Sequence, residues 1–127
     1  MLIGDVARRA GVSHRTLHYY ERISLLKPAE REGAGYRHYG EDVLKRLEKI
    51  AALKTLGLSL AEIGAVIDLY FEDDTGLRGK ERVLAILQAQ LDRANERIGD
   101  LTALKQDIEA NIARMRHHIA EARRSGG

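Results

Sequence analysis

The stretch from Ile3 to Arg22 reads IGDVARRAGVSHRTLHYYER, and it decides how the N-terminal part of the chain folds. Apolar residues recur at helical spacing up to a turn at Gly11-Val12-Ser13, where glycine can end one helix and serine can cap the next. The second helix is predicted from His14 to Arg22, with Leu17 and Tyr20 on its inward face. Two short helices joined by such a turn make a helix-turn-helix, although two unrelated surface helices remain an alternative at this point.

A small β-hairpin is predicted after these helices. Leu25-Leu26-Lys27-Pro28 favours extended backbone, because proline disfavours helix at the residue before it. Residues 31–35 are a turn signal, and Tyr36-Arg37-His38-Tyr39 alternates aromatic and basic residues as a strand does. The hairpin would be the wing of a winged helix-turn-helix.

Two further helices and a linker complete the predicted DNA-binding domain, residues 1–71. One helix opens at Gly40 or Glu41, ends at Gly57 and buries four apolar side chains, Val43, Leu47, Ile50 and Leu53. Ser59-Leu60-Ala61-Glu62 then has the capping-box pattern of a new helix start. This second helix buries Ile63, Val66 and Ile67. The polar, acidic residues 72–79 are interpreted as a linker.

One long helix is predicted for the rest, from about Lys80 to Arg124, with residues 125–127 as a tail. At ~1.5 Å per residue it would be about 65 Å long. Steps of three and four residues run from Leu84 to Ala122, with Lys105 as the one polar member, and such a stripe needs a partner helix. The dimer interface is predicted at Leu84, Leu87, Leu91, Ala94, Ile98, Leu101, Ile108, Ile112, Met115 and Ile119.

Composition and charge narrow the function classes. Charged residues make up 31% and aromatic residues 5%, as suits a helical protein with much solvated surface. Residues 1–58 hold 11 Lys and Arg against 7 Asp and Glu, a net charge of +4, whereas residues 59–127 hold 10 against 12, a net of −2. A basic first half and a mildly acidic remainder fit a nucleic-acid-binding module joined to an assembly module.

Several chemistries are not expected. With no cysteine, disulfides and thiolate metal sites are excluded, and no stretch reaches the ~20 apolar residues of a membrane span. We therefore expect a soluble, cytoplasmic protein. His117 and His118 point ~100° apart on a helix and cannot share one metal, and Glu72-Asp73-Asp74 lacks the spacing of a calcium loop. Without a catalytic triad pattern or a phosphate-binding glycine loop, we expect neither an enzyme nor a cofactor.

The segments in order resemble the MerR family of transcriptional regulators over about residues 2–70. The segments that carry the resemblance are Ile3-Gly4-Asp5-Val6-Ala7, Ala10-Gly11-Val12-Ser13, Thr16-Leu17-His18-Tyr19-Tyr20-Glu21, Leu25-Leu26-Lys27-Pro28, Gly35-Tyr36-Arg37-His38-Tyr39 and Leu56-Gly57-Leu58-Ser59-Leu60-Ala61-Glu62-Ile63. Two positions depart from the family, which usually has Arg at His18 and Gly at Ser24. If Ser24 adopts a left-handed conformation, its side chain costs about 1 kcal/mol.

The resemblance implies a mainly α fold: a winged helix-turn-helix with a small β-hairpin wing, followed by a long antiparallel coiled-coil dimerisation helix. The partners implied are double-stranded DNA, a second copy of the chain and RNA polymerase at a promoter. A two-fold dimer presents two recognition helices, so we expect a near-palindromic operator. Family members activate by kinking and untwisting an overlong promoter spacer, so we also expect the homodimer to distort its operator.

The predicted DNA contacts fall into two groups. His14, His18 and Arg22 lie at i, i+4 and i+8 with Arg15 beside them, a face that suits the major groove. We assign base contacts to His14, Arg15 and His18. The resemblance assigns backbone contacts to Tyr19 and Arg22 on the same helix and to the wing, and three basic residues of the following helix are added. These further backbone contacts are Tyr36, Arg37, Tyr39, Arg46, Lys49 and Lys54.

The sequence leaves the signal and one rival function open. Without cysteine, thiolate sensing of metals or superoxide is excluded, which leaves a small organic effector between the dimer helix and the DNA-binding domains, or no effector. Leu69-Tyr70-Phe71 could line such a site or pack on the partner's helix. The main alternative function is an architectural, excisionase-like winged-helix DNA binder that has no effector. A coiled-coil protein without a DNA role fits poorly with the basic helix-turn-helix.

Overall fold

The computed structural model describes residues 1–27, 30–32 and 36–126, with backbone alone for Glu30–Glu32 and Tyr36–His38. The chain divides into two compact units, Met1–Val83 and a second that begins at Leu84. The elements, in chain order, are α1 (Ile3–Ala10), α2 (His14–Arg22), β1 (Glu30–Glu32), β2 (Tyr36–His38), α3 (Asp42–Thr55), α4 (Leu60–Val66), a 3₁₀ helix (Ile67–Phe71) and α5 (Leu77–Ser125). The described part is therefore mainly helical, as the sequence predicts.

The turn between α1 and α2 forms as its residues dictate. Gly11 ends α1 in the left-handed region at φ 69°, where a side chain would be strained. The Ser13 side chain accepts a hydrogen bond from the Thr16 backbone N–H at 3.0 Å and so caps α2. Leu17 and Tyr20 are both buried, which confirms the predicted inward face. The helix-turn-helix is therefore present, with α2 as its second helix.

The helices after the hairpin follow the predicted pattern closely. The four predicted apolar residues of α3 are buried, and Gly57 follows the helix with φ 94°. At the start of α4, Ser59 and Glu62 form both hydrogen bonds of the capping box. The core of the first unit is thereby assembled from every helix up to α5. Its buried apolar residues are Val6, Ala7, Leu17, Tyr20, Leu25, Leu26, Tyr39, Val43, Leu47, Ile50, Leu53, Leu58, Ile63, Val66, Ile67 and Val83.

Two three-residue strands lie between α2 and α3. Glu30 pairs with His38, Arg31 with Arg37 and Glu32 with Tyr36 in an antiparallel register. Pro28 and the predicted turn at 33–35 lie outside the described residues. The second strand is one residue shorter than predicted, because Tyr39 leaves the ladder and its backbone N–H donates to the Met1 carbonyl at 2.6 Å.

The long helix begins earlier than predicted, at Leu77 rather than near Lys80, and runs unbroken to Ser125. Asp73 organises the turn before it: one carboxylate oxygen accepts from the Thr75 backbone N–H at 2.9 Å and the Gly76 N–H at 3.1 Å. The hydrogen bond from the Thr75 hydroxyl, together with these two backbone bonds, holds the pKa of Asp73 below its usual value. The linker therefore ends at Gly76. Among the described residues, no helix is both long and apolar enough to span a membrane.

Candidate nucleic-acid interface

The outward face of α2 carries five of the eleven predicted DNA contacts, including all three predicted base contacts. His14, Arg15, His18, Tyr19 and Arg22 are all exposed, while the two apolar residues between them are buried. The guanidinium carbon of Arg22 lies 5.9 Å from the centroid of the Tyr19 ring, within the range of a cation–π contact. The helix thus presents cationic and hydrogen-bonding groups on one side and anchors itself through the other.

Tyr39 connects the end of the hairpin to α2 from the inside of the unit. Its ring is only 5% exposed, and its hydroxyl donates a hydrogen bond to the Glu21 carboxylate. A buried phenol of this kind needs a polar partner, and Glu21 supplies it. This corrects the prediction of a DNA-backbone contact at Tyr39: the residue belongs to the core and fixes the chain after β2 against α2. The backbones of Tyr36 and Arg37 lie in β2.

Two of the three predicted cations of α3 are engaged within the unit. Arg46 Nε donates to the Leu25 carbonyl at 2.5 Å, and its Nη1 lies 2.8 Å from the Asp68 carboxylate. Lys49 Nζ lies 4.5 Å from the centroid of the Tyr70 ring. Arg46 and Lys49 therefore make contacts within the unit, and their contact with DNA stays a prediction, as does that of Lys54, which is exposed near the end of α3.

The segment Leu69-Tyr70-Phe71 forms most of the 3₁₀ helix. Tyr70 packs against Gly76 and Gly79 of its own chain. Burial raises the pKa of the Tyr70 hydroxyl above its usual value. Phe71 is exposed.

The apolar line along α5 is uncovered in the single chain. Its large side chains are between 45% and 65% exposed from Leu84 to Ile119, except for Leu87, which is half-buried. Leu104, at 53%, is an exposed apolar residue that the strict heptad count passed over in favour of Lys105. An undistorted α-helix drifts relative to an exact 3.5-residue repeat, so both positions border the same line. Leu104 lies three residues after Leu101 and four before Ile108, so the same spacing rule could have predicted it.

Comparison with known families identifies the chain. The model described as "MerR HTH family regulatory protein" matches residues 1–69, and the one described as "MerR, DNA binding" matches residues 44–111. The first match covers more than half of the chain, and it contains α2, the hairpin and α3. The chain belongs to the MerR family, and it is a DNA-binding transcriptional regulator.

Individual relatives agree with this assignment. An uncharacterized HTH-type transcriptional regulator of Pseudomonas aeruginosa is 34% identical over 86% of this chain and 80% of its own length. The transcriptional activator TipA of Streptomyces coelicolor is 37% identical over 84% of this chain, which spans only 39% of TipA. Longer relatives such as TipA therefore contain segments that this chain does not match.

Solved structures show the same fold. The N-terminal part of the Bacillus subtilis multidrug transporter activator, MtaN, aligns with a TM-score of 0.56 and 35% identity, over 80% of this chain and 93% of that one. HiNmlR, a MerR family regulator lacking the sensor domain and bound to promoter DNA, aligns with a TM-score of 0.53 and 26% identity, over 80% and 75% of the two chains.

Proposed function

We propose that this regulator acts as a homodimer that binds a near-palindromic operator within a promoter and distorts it. The observation that carries the proposal is the uncovered apolar line of α5. Isolated soluble chains rarely expose a contiguous apolar surface of this length, and a second copy of the same helix would bury it. An antiparallel pair would then hold two recognition helices in one two-fold-symmetric particle.

Base recognition in each half-site is assigned to α2. Arg15 can donate two hydrogen bonds to a guanine edge, and His14 and His18 can donate or accept at neighbouring bases. Because His18 stands where the family usually has Arg, its contact would be shorter and would not be bidentate. These three residues share the exposed face whose opposite side is buried in the core.

Phosphate contacts would fix the register of α2 on the duplex without reading sequence. On α2 the candidates are Tyr19 and Arg22, which already lie against each other. Lys54 is the exposed candidate on α3. Arg37 and Tyr36 on β2 remain assigned to the wing contact, on the basis of the family resemblance.

The proposed activity is transcriptional activation through DNA shape. A dimer that grips both ends of an overlong spacer can kink and untwist it, which brings the two promoter elements to one face for RNA polymerase. Such deformation costs about 1–6 kcal/mol, and the phosphate contacts at both half-sites must supply it. A small organic effector that shifts the balance between bent and straight DNA would be compatible with this scheme, but the scheme does not require one.

The test is to shorten the spacer of the native promoter by two base pairs and to measure transcription with and without the protein. We expect the shortened promoter to be active without the protein and insensitive to it, and the protein to bend the native operator in a circular-permutation gel assay. Straight bound DNA, or regulation that survives the shortening, would replace this mechanism with simple repression or an architectural role.

A further inference from the structure

At the start of α5, the ring of Tyr70 packs closely against the backbone of Gly79. The Tyr70 ring lies so close to Gly79 that a Cβ added there would be 2.7 Å from both Cγ and Cε2 of the ring. At Gly76, just before the helix, a Cβ would be 3.1 Å from Tyr70 Cδ1, and the backbone has φ 62°. Gly79 is a buried residue of α5. Inside a helix, glycine is destabilising by about 0.5–1 kcal/mol relative to alanine, so its presence there needs a reason. Close packing of the ring explains why glycine stands there.

The same ring also contacts α3. Lys49 Nζ lies 4.5 Å from the ring centroid. One helical turn away, at i−3, Arg46 binds the Leu25 carbonyl and the Asp68 carboxylate of the 3₁₀ helix. Two cations from one face of α3 therefore hold the 3₁₀ helix, and Tyr70 of that helix holds the first turn of α5.

We propose that this contact, the Tyr70 joint (Lys49, Tyr70 and Gly79), determines the separation of operator half-sites that the protein accepts. The inference rests on the dimer proposed above. In such a dimer each α5 is the covalent connection between a recognition helix and the shared apolar line, and it is unbroken from Leu77 to Ser125. A joint that fixes the first turn of α5 on its unit therefore limits how far the two recognition helices can adjust to different spacings.

The sensitivity of operator spacing to such a joint follows from DNA geometry. Each base pair inserted between half-sites rotates one of them by about 34° around the duplex and moves it by ~3.4 Å. A stiff joint cannot follow that rotation, so the wild type should favour one spacing by about tenfold over spacings one base pair longer or shorter. A loosened joint should accept neighbouring spacings with a preference of about threefold or less, without changing the bases preferred within each half-site.

The experiment uses the full chain and a library of operators with fixed half-sites and variable central spacing, with binding to each measured in competition. Gly79→Ala forces Tyr70 off its seat and should broaden the spacing profile. Gly99→Ala is the matched control, because it makes the same change in the same helix at a position where the added Cβ meets nothing within 4 Å. Sedimentation of each variant reports the dimer independently of DNA.

A second pair of variants covers the case in which Gly79→Ala does not fold. Tyr70→Phe keeps the ring that Lys49 and Gly79 contact and should leave the profile unchanged, whereas Tyr70→Ala removes it and should broaden the profile. Adding Gly79→Ala to Tyr70→Ala should produce no further change, since the clash partner is gone.

The outcomes separate the inference from the function on which it rests. Folded, dimeric Tyr70→Ala or Gly79→Ala with the wild-type spacing profile would overturn the role of the joint and leave the dimer intact. A wild type that sediments as a monomer, or binds single half-sites as well as paired ones, would instead overturn the proposed dimer function, and the joint with it.

Discussion

The two units of this protein share a helical spacing of apolar residues but differ in how far those residues are buried within the single chain. Val83 is 5% exposed and its neighbour Leu84 is 56% exposed, although both lie in one continuous helix. Most large apolar side chains of the first unit are covered by other elements of that unit, whereas those of the line from Leu84 to Ile119, apart from Leu87, are about half exposed or more in the single chain. A periodic pattern alone therefore predicts that a helix buries one face, but not whether its partner belongs to the same molecule.

The most disruptive test of this comparison places a charge in the uncovered line. Ile98→Asp or Leu101→Asp would bury an unpaired carboxylate at the centre of the proposed dimer interface, which costs several kcal/mol unless the interface opens. We expect sedimentation to show a monomer and tight operator binding to be lost. The matched control is Ala103→Asp, which adds the same charge to the opposite, exposed side of α5. An intact dimer in either core variant would remove the coiled coil from this account.

A core substitution in the first unit should have the next largest effect, and on a different quantity. Leu17→Ala removes a fully buried side chain from α2 and should lower the free energy of unfolding by about 2–5 kcal/mol. Chemical denaturation measures this directly. Leu56→Ala, which shortens a leucine that is about half exposed, should change it by about 0.5 kcal/mol or less. Equal losses for the two variants would mean that the first unit does not close its core around α2.

The exposed face of α2 should affect binding without affecting stability. Arg15→Ala should cost about 1–3 kcal/mol of operator binding and relax the base preference at one position of each half-site. Arg37→Ala, on the wing strand, should weaken binding to all sequences alike and lower the slope of log affinity against log salt by about one. Competition assays on operator and random DNA at several salt concentrations separate the two. Equal losses on both DNAs for Arg15→Ala would remove it from base recognition.

Most of the fold could be predicted because local signals and packing agree. Ser13, Gly57 and the Ser59–Glu62 pair each mark a helix boundary that the structure reproduces, since capping chemistry depends on neighbouring residues alone. The inward faces of α2 and α3 follow from spacing in the same way. The exposed residues of α2 could be predicted because they lie on the side of the helix opposite Leu17 and Tyr20, which are buried.

The contacts that the sequence did not predict include several between residues distant in sequence. Arg46 and Lys49 look like free cations on a helix, and only the position of the 3₁₀ helix shows that Asp68 and Tyr70 occupy them. Tyr39 alternates with Arg37 like a wing residue, yet Glu21 lies 18 positions earlier in the chain and draws its hydroxyl inward. Gly79 belongs to the stretch interpreted as a linker because it is polar, acidic and bounded by glycine, whereas in the structure it lies in α5, close against the Tyr70 ring.

The smallest expected effect concerns the backbone angle φ of one residue of the first unit, Ser24, and its effect on the free energy of unfolding. Ser24 follows α2 at φ 64°, in the left-handed region that costs residues with a Cβ about 1 kcal/mol or more. Ser24→Gly relieves that strain but gives the unfolded chain more freedom, so the net gain should be about 0.5–1 kcal/mol in the free energy of unfolding. Ser24→Ala is the control, because it removes the hydroxyl and keeps the strained Cβ. We therefore expect glycine alone to raise the denaturation midpoint, with sedimentation unchanged, since position 24 lies outside the apolar line of α5.

If alanine stabilises as much as glycine, the hydroxyl rather than the backbone angle is the source of the cost. If glycine destabilises, the strain at this turn is offset by contacts of the serine side chain, and the departure from the family residue is itself favourable to the fold.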